Sequence, residues 1–282
     1  MALSASRDPV LVIAGRGELA HLIAQTLGAR AHVIALRGIA DPKTQALASH
    51  EIPLGKFGHM IEVGQTVGAK HVIFIGGVDR PVAQALALDD FSRQNLNLAD
   101  LNLGDDGALR AIAGLFTRAG LETVGPLDLI PDLTMPARCL TRAIPDEVNW
   151  ADAIRGGQVA CALGRLDVGQ AAVIQQGLVL AVEGIEGTDA LITRTQPLVR
   201  QGVRPILVKV AKPQQDMRLD VPTLGPRTIE NLAAAGFAGV FLEVGRTLIV
   251  DRPRVIERAD AAGLFIAGLE LGGLEELGKN AP

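Results

Sequence analysis

Apolar residues along the first half of the chain fall into short runs, separated by stretches with helical spacing. Residues 9–15 (PVLVIAG) form one such run closed by glycine, and residues 18–29 (ELAHLIAQTLGA) follow with apolar positions at intervals of three and four. Residues 31–36 (AHVIAL) and 70–77 (KHVIFIGG) repeat the strand pattern, each with a helix-like stretch behind it, and residues 108–126 predict a helix and then a strand. Strands separated by helices imply βαβ units and a parallel sheet, so residues 1–130 read as a Rossmann-like domain.

Residues 126–149 hold four prolines and little periodicity, which marks a proline-rich linker, set at 131–149. A new apolar pattern begins at Trp150. Residues 150–166 (WADAIRGGQVACALGRL) predict a helix broken by its glycines, and residues 170–183 (QAAVIQQGLVLAVE) a hairpin turning near Gly177. Further strands are predicted at 204–211, 237–244 and 247–251, with helices near 226–235 and 253–262. The fold class is therefore α/β, with a Rossmann-like N-terminal domain (1–130) and a mixed α/β C-terminal domain (150–282).

Composition narrows the function. Of 282 residues, 48% are apolar and 21% charged, which is the balance of a globular protein. Aromatics make up only 3%, with no Tyr, so stacking platforms for bases are not expected; a net charge of −4 also argues against a nucleic-acid surface. Cys139 and Cys161 have neither metal spacing nor a paired framework, which points to a reducing compartment. The first fifteen residues make a poor signal peptide, and no run of about 18 apolar residues occurs, so a cytoplasmic protein is expected.

Three stretches carry candidate chemistry. Gly15, Arg16 and Gly17 open the string GRGELA between the first strand and its helix, which fits a phosphate-cradling turn at a helix N-terminus. Gly76 and Gly77 end a neighbouring strand. A dinucleotide enzyme would carry an acid after the second strand, but that strand ends in Leu36 and Arg37. Phosphate or nucleotide binding, a nicotinamide cofactor with Arg37 on a 2′-phosphate, and a plain tight turn all remain open. The second stretch, EGIEGTDALI, places Glu183, Glu186 and Asp189 in one glycine-spaced turn. Carboxylates so close repel unless a cation joins them, which suits Mg²⁺; the alternative is Thr188 or Asp189 capping a helix with both glutamates in solvent. The third is a loop stiffened by prolines, KVAKPQQDMRLDVPTLGP. It offers Asp216 and Asp220 as carboxylates and Lys209, Lys212 and Arg218 as phosphate-binding cations. Together these suggest metal-assisted attack on a phosphate or diphosphate. No P-loop, nucleophile elbow or HExxH string occurs, and the five histidines lack ligand spacing.

The strings VLVIAGRGELAHLIAQ, AVEGIEGTDALI and LVKVAKPQQDMRLDVPTLGPRTIE resemble the UDP-2,3-diacylglucosamine pyrophosphatases of lipid A biosynthesis, the Mg²⁺-dependent type unrelated to metallophosphoesterases. The likeness runs nearly end to end. It implies cleavage of UDP-2,3-diacylglucosamine to UMP and 2,3-diacylglucosamine 1-phosphate (lipid X), with Mg²⁺, or Mn²⁺ in its place, as cofactor. On that reading Asp220 or Asp216 is a metal ligand or base, and Glu183, Glu186 and Asp189 support the metal. Lys209, Lys212 and Arg218 clamp phosphate, while Gly15, Arg16, Gly17, Gly76, Gly77, Thr188 and Gln215 contact substrate. Peripheral contact with the cytoplasmic face of the inner membrane and a homo-oligomer are compatible with it. The rivals are an NADP-dependent oxidoreductase and a non-catalytic nucleotide-sensing protein.

Overall fold

The computed structural model describes residues 7–78, 87–97 and 104–272. The chain divides into two compact units: residues up to Asp132 together with Asp216–Asp220, and Leu133–Gln215 together with the residues from Val221 onward.

The first unit runs β1 (Val10–Ala14), α1 (Glu18–Leu27), β2 (Ala31–Leu36), α2 (Pro42–Gln45), β3 (His50–Ile52), α3 (Phe57–Thr66), β4 (His71–Ile75), α4 (Asp90–Asn95), α5 (Gly104–Arg118), β5 (Glu122–Thr123) and α6 (Pro126–Leu129). Among the described residues its strands form a parallel sheet in the order β3-β2-β1-β4-β5. That is the doubly wound order, reversing direction between β1 and β4. Strand β1 is buried on both faces, which is why it reads as an unbroken apolar run. Val10, Val12 and Ala14 pack with Ala20, Ile23 and Leu27 of α1, whereas Leu11 and Ile13 belong to a second core with Met60 of α3 and Leu115 and Phe116 of α5.

The second unit runs α7 (Glu147–Arg165), β6 (Ala171–Gln175), β7 (Leu178–Val182), α8 (Thr188–Thr195), β8 (Ile206–Lys209), β9 (Thr223–Leu224), α9 (Pro226–Ala234), β10 (Gly239–Glu243), β11 (Leu248–Ile249), α10 (Arg252–Ala262) and β12 (Phe265–Leu269). Its main sheet has the order β12-β10-β8-β6-β7, with β8, β10 and β12 parallel and β6 and β7 joined as an antiparallel hairpin around Gly177. One face packs on α8, α9 and α10 through Leu191, Leu232 and Val255. The other packs on α7 through Ala153, Ala160 and Cys161. With few aromatics to spend, the second face still sets Trp150 edge-to-face against Phe241 and Phe241 edge-to-face against Phe265, at centroid distances of 4.8 and 5.1 Å.

Helix α7 is continuous where its glycines predict a break. Glycine weakens a helix through entropy, but here it provides clearance: a Cβ on Gly156 would lie 2.5 Å from Val208 Cγ2 and 3.0 Å from Ile174 Cγ1. Gly156→Ala is therefore expected to lose about 1–3 kcal/mol in urea unfolding through overpacking. An uncrowded helix position would gain about 1 kcal/mol from the same change. The residues before α7 are tied down as well. Met135 is fully buried in the second unit's core with Leu191, Leu232 and Val255, its N–H donates to Thr247 O and its carbonyl accepts from Gly245 N–H.

Candidate active site

In the first unit, the turns after β1 and β4 hold each other. Arg16 N–H donates to Gly77 O at 2.9 Å, and Gly77 N–H donates to Arg16 O at 2.7 Å. A Cβ on Gly15 would meet Gly77 O at 2.6 Å, and one on Gly76 would meet Arg16 O at 2.6 Å, so both positions demand glycine for backbone approach. Gly76 also has φ +93°, a conformation side chains disfavour. Gly17, at the N-terminus of α1, has open space where a Cβ would stand, and its N–H donates to Asp41 Oδ2 at 2.5 Å. A carboxylate from the β2–α2 connection thus takes the N–H expected to face a phosphate. Arg37, considered for a 2′-phosphate, donates instead to the carbonyl of Glu51 at 2.9 Å.

In the second unit, polar groups gather at the edge where the parallel strands end. Lys209 closes β8, Glu243 closes β10, and Glu183 follows β7; antiparallel pairing brings Gln170 to the same edge. Lys209, Lys212, Glu183 and Glu243 are all buried, an unusual density of charge for a protein interior, and so is the polar Gln215. Each has a partner. Lys209 Nζ donates to Thr223 O at 3.0 Å, and Lys212 Nζ lies 2.5 Å from Asp167 Oδ1. Glu243 accepts from Ala211 N–H at 2.7 Å and pairs with Arg246 at 3.3 Å, and Arg246 reaches Lys212 O at 3.4 Å. Gln215 Oε1 accepts from Lys212 N–H, while its own N–H donates to Lys212 O, closing a turn over Pro213. Gln215 therefore shapes the loop with its side-chain oxygen.

The acidic turn does not gather around one point. Glu183 accepts from Thr188 Oγ1 at 2.6 Å and from Gln170 N–H at 2.9 Å. Glu186 is bound by Arg194 at 2.7 Å, and that hydrogen bond is the main cause holding its carboxyl below the usual range. Asp189 pairs with Arg227 at 3.2 Å and accepts from Thr228 Oγ1 at 3.0 Å. Arginines from α8 and α9 pair with Glu186 and Asp189, and Glu183 is held by a hydroxyl and a backbone N–H. Thr188 is no cap either: Gly187, at φ +78°, holds the N-cap position of α8, and the Thr188 hydroxyl serves Glu183.

Asp216–Asp220 belong with the first unit, where a Cβ on Gly125 would meet Arg218 Cα at 2.8 Å. Leu219 and Asp220 both donate their N–H to Asp216 O, so this segment is a single helical turn with Asp216 and Asp220 four residues apart on one side. Arg218 grips Asp216 through two nitrogens, at 3.0 and 2.7 Å. Those hydrogen bonds are the leading cause lowering the Asp216 carboxyl and raising the Arg218 guanidinium.

Among the described residues, no three His, Cys, Asp or Glu side chains converge as a metal site. Glu183, Glu186 and Asp189, each committed to protein donors, do not fit a shared ion. Asp216 is engaged too, both its carboxylate oxygens held by Arg218; with Asp220 it places two carboxylates one helical turn apart, and Mg²⁺ ordinarily takes one or two carboxylates beside water and substrate phosphate. Reading the sequence missed Asp41, Asp167, Glu243 and Arg246. A signal existed for two of them: Asp167 stands where a helix end favours glycine, and Glu243 is a charge ending an apolar strand.

A doubly wound unit with a glycine-lined turn and a second α/β unit whose strand ends bury lysines and acids define a two-unit α/β protein. Residues 9–133 match the LpxI N-terminal domain and residues 136–267 the LpxI C-terminal domain, and the chain belongs to this family. It is also similar to the UDP-2,3-diacylglucosamine pyrophosphatase LpxI of Caulobacter vibrioides (strain ATCC 19089 / CIP 103742 / CB 15). The two are 36% identical over 271 residues, covering 92% of this chain and 96% of that protein.

Proposed function

We propose that the chain hydrolyses the diphosphate of UDP-2,3-diacylglucosamine, releasing UMP and 2,3-diacylglucosamine 1-phosphate for lipid A biosynthesis. The observation that carries this reading is likeness over nearly the whole length to a protein named for that activity. In the reaction water adds across one P–O–P bond: its oxygen joins one phosphorus, and the bridging oxygen leaves on the other.

The chain's own residues take the following roles. Asp216 and Asp220, one helical turn apart, hold Mg²⁺ (or Mn²⁺) or take the proton of the attacking water. The bound ion supplies Lewis-acid polarisation of a phosphoryl oxygen. Arg218, already aligned by Asp216, and the buried Lys209 and Lys212 bind phosphate oxygens and offset charge as the bond breaks. Gly15, Arg16, Gly76 and Gly77 hold the turns after β1 and β4 together, and Gly17, with open space where a Cβ would stand, is where the backbone offers close approach to the nucleotide or sugar phosphate. Thr188 and Gln215 act by holding Glu183 and the Lys212 turn in shape.

The substrate carries two acyl chains, so a cytoplasmic protein touching the inner membrane surface belongs to this reading. Among the described residues no helix is long and apolar enough to cross a membrane. The oxidoreductase reading is not favoured, because Arg37 is engaged with the Glu51 carbonyl. Heat protection separates the two readings: UMP at saturating concentration raises Tm and NADP⁺ leaves it unchanged. The reverse result would restore the rival.

A further inference from the structure

Helix α7 ends at Arg165, Leu166 caps it, and the next residue, Asp167, adopts the left-handed conformation with φ 55°. Glycine is the usual choice there, and Asp or Asn adopts it at a smaller cost than other side chains. A carboxylate at this end also faces the negative pole of the helix dipole, where a cation would be favoured. The chain accepts both penalties in a single residue. Local choices that oppose stability mark places where another demand prevails.

The demand is visible in Lys212. Asp167 Oδ1 lies 2.5 Å from its Nζ, with the lysine side chain only 11% exposed. Burial works against an ammonium's charge, and an adjacent carboxylate offsets this. The lysine backbone is fixed too: its N–H donates to Gln215 Oε1, its carbonyl accepts from Arg246, and a Cβ on Gly164 would come within 3.1 Å of its Cα. A lysine is ordinarily a flexible point charge. One pinned at both backbone and tip is pre-organised.

Resting on the function proposed above, we propose that Asp167 is a positioning residue: it holds the Lys212 ammonium aimed in one direction for a substrate phosphate. Asp167 itself touches no reacting atom. The left-handed turn is the cost of bringing its carboxylate from the end of α7 to the lysine.

Two variants decide this, assayed with UDP-2,3-diacylglucosamine and Mg²⁺ beside the wild type. Asp167→Asn keeps the side-chain size and tolerates the left-handed conformation but removes the charge. Asp167→Gly suits that conformation best and removes the carboxylate entirely. Both should lose at least about tenfold in kcat and in kcat/KM together, the pattern of an interaction realised in the transition state. Both should melt within about 4 °C of the wild type. A purely structural role predicts the opposite for glycine, which would then work as well as aspartate. Near-wild-type turnover by either variant, or losses matched by a melting point lowered well beyond that range, would overturn the inference. Failure of the wild type to turn over would instead overturn the proposed function, which the same assay reads separately.

Discussion

Asp220→Asn and Asp216→Asn should each lower kcat by more than about a hundredfold, the usual loss when a metal ligand or catalytic base is neutralised. The side chains keep their size, so any loss reflects charge. Stability should barely move for Asp216→Asn: its partner Arg218 is 56% exposed, and an ion pair so open to solvent contributes about 0–1 kcal/mol. The pH dependence has a definite sign. Arg218 lowers the folded-state pKa of Asp216, so the pair's contribution is complete above the ordinary carboxylate range and is lost only as pH falls through the lowered value. Thermal melts from neutral to acid pH should therefore show less acid-side destabilisation in Asp216→Asn than in wild type. If both asparagine variants turn over near the wild-type rate, the loop is only a solvated turn.

Chelation should have an effect of similar size. Exhaustive EDTA treatment is expected to reduce turnover to less than about a hundredth, with Mg²⁺ or Mn²⁺ restoring it, because the acids of this chain are hard oxygen donors and no Cys or His set accompanies them. Zn²⁺ should restore it less well. Full activity in the chelated protein would remove the metal from the account and leave Lys209, Lys212 and Arg218 to offset the developing charge alone.

Much of the fold could be read from the chain. Strand β1 announces itself because a strand buried on both faces is apolar throughout, β2 and β4 because all but one of their residues are apolar, and the β6–β7 hairpin because Gly177 sits between two apolar runs. Strand β3 is only three residues long, two of them exposed, and leaves no periodic trace. The continuity of α7 was hidden for a different reason. Gly156 looks like a breaker until Val208, 52 residues away in sequence, is known to press on it.

The site divides in the same way. The residue types and their strings were legible, since lysines, arginine and acids held between prolines are a local feature. Their partners were not. Arg194 and Arg227 neutralise the acidic turn from eight and 38 residues beyond Glu186 and Asp189, as only the folded chain arranges. Asp41 at Gly17 and Asp167 at Lys212 are likewise long-range pairings. A string of acids calls for a cation, but only tertiary structure decides whether that cation is a metal or an arginine.

The most direct test of the account is to incubate the purified protein with UDP-2,3-diacylglucosamine and Mg²⁺ and weigh the products by mass spectrometry. Cleavage within the diphosphate predicts UMP and 2,3-diacylglucosamine 1-phosphate in equal amounts. UDP with the free 2,3-diacylglucosamine, which would mean cleavage at the sugar, or substrate left intact, would contradict it.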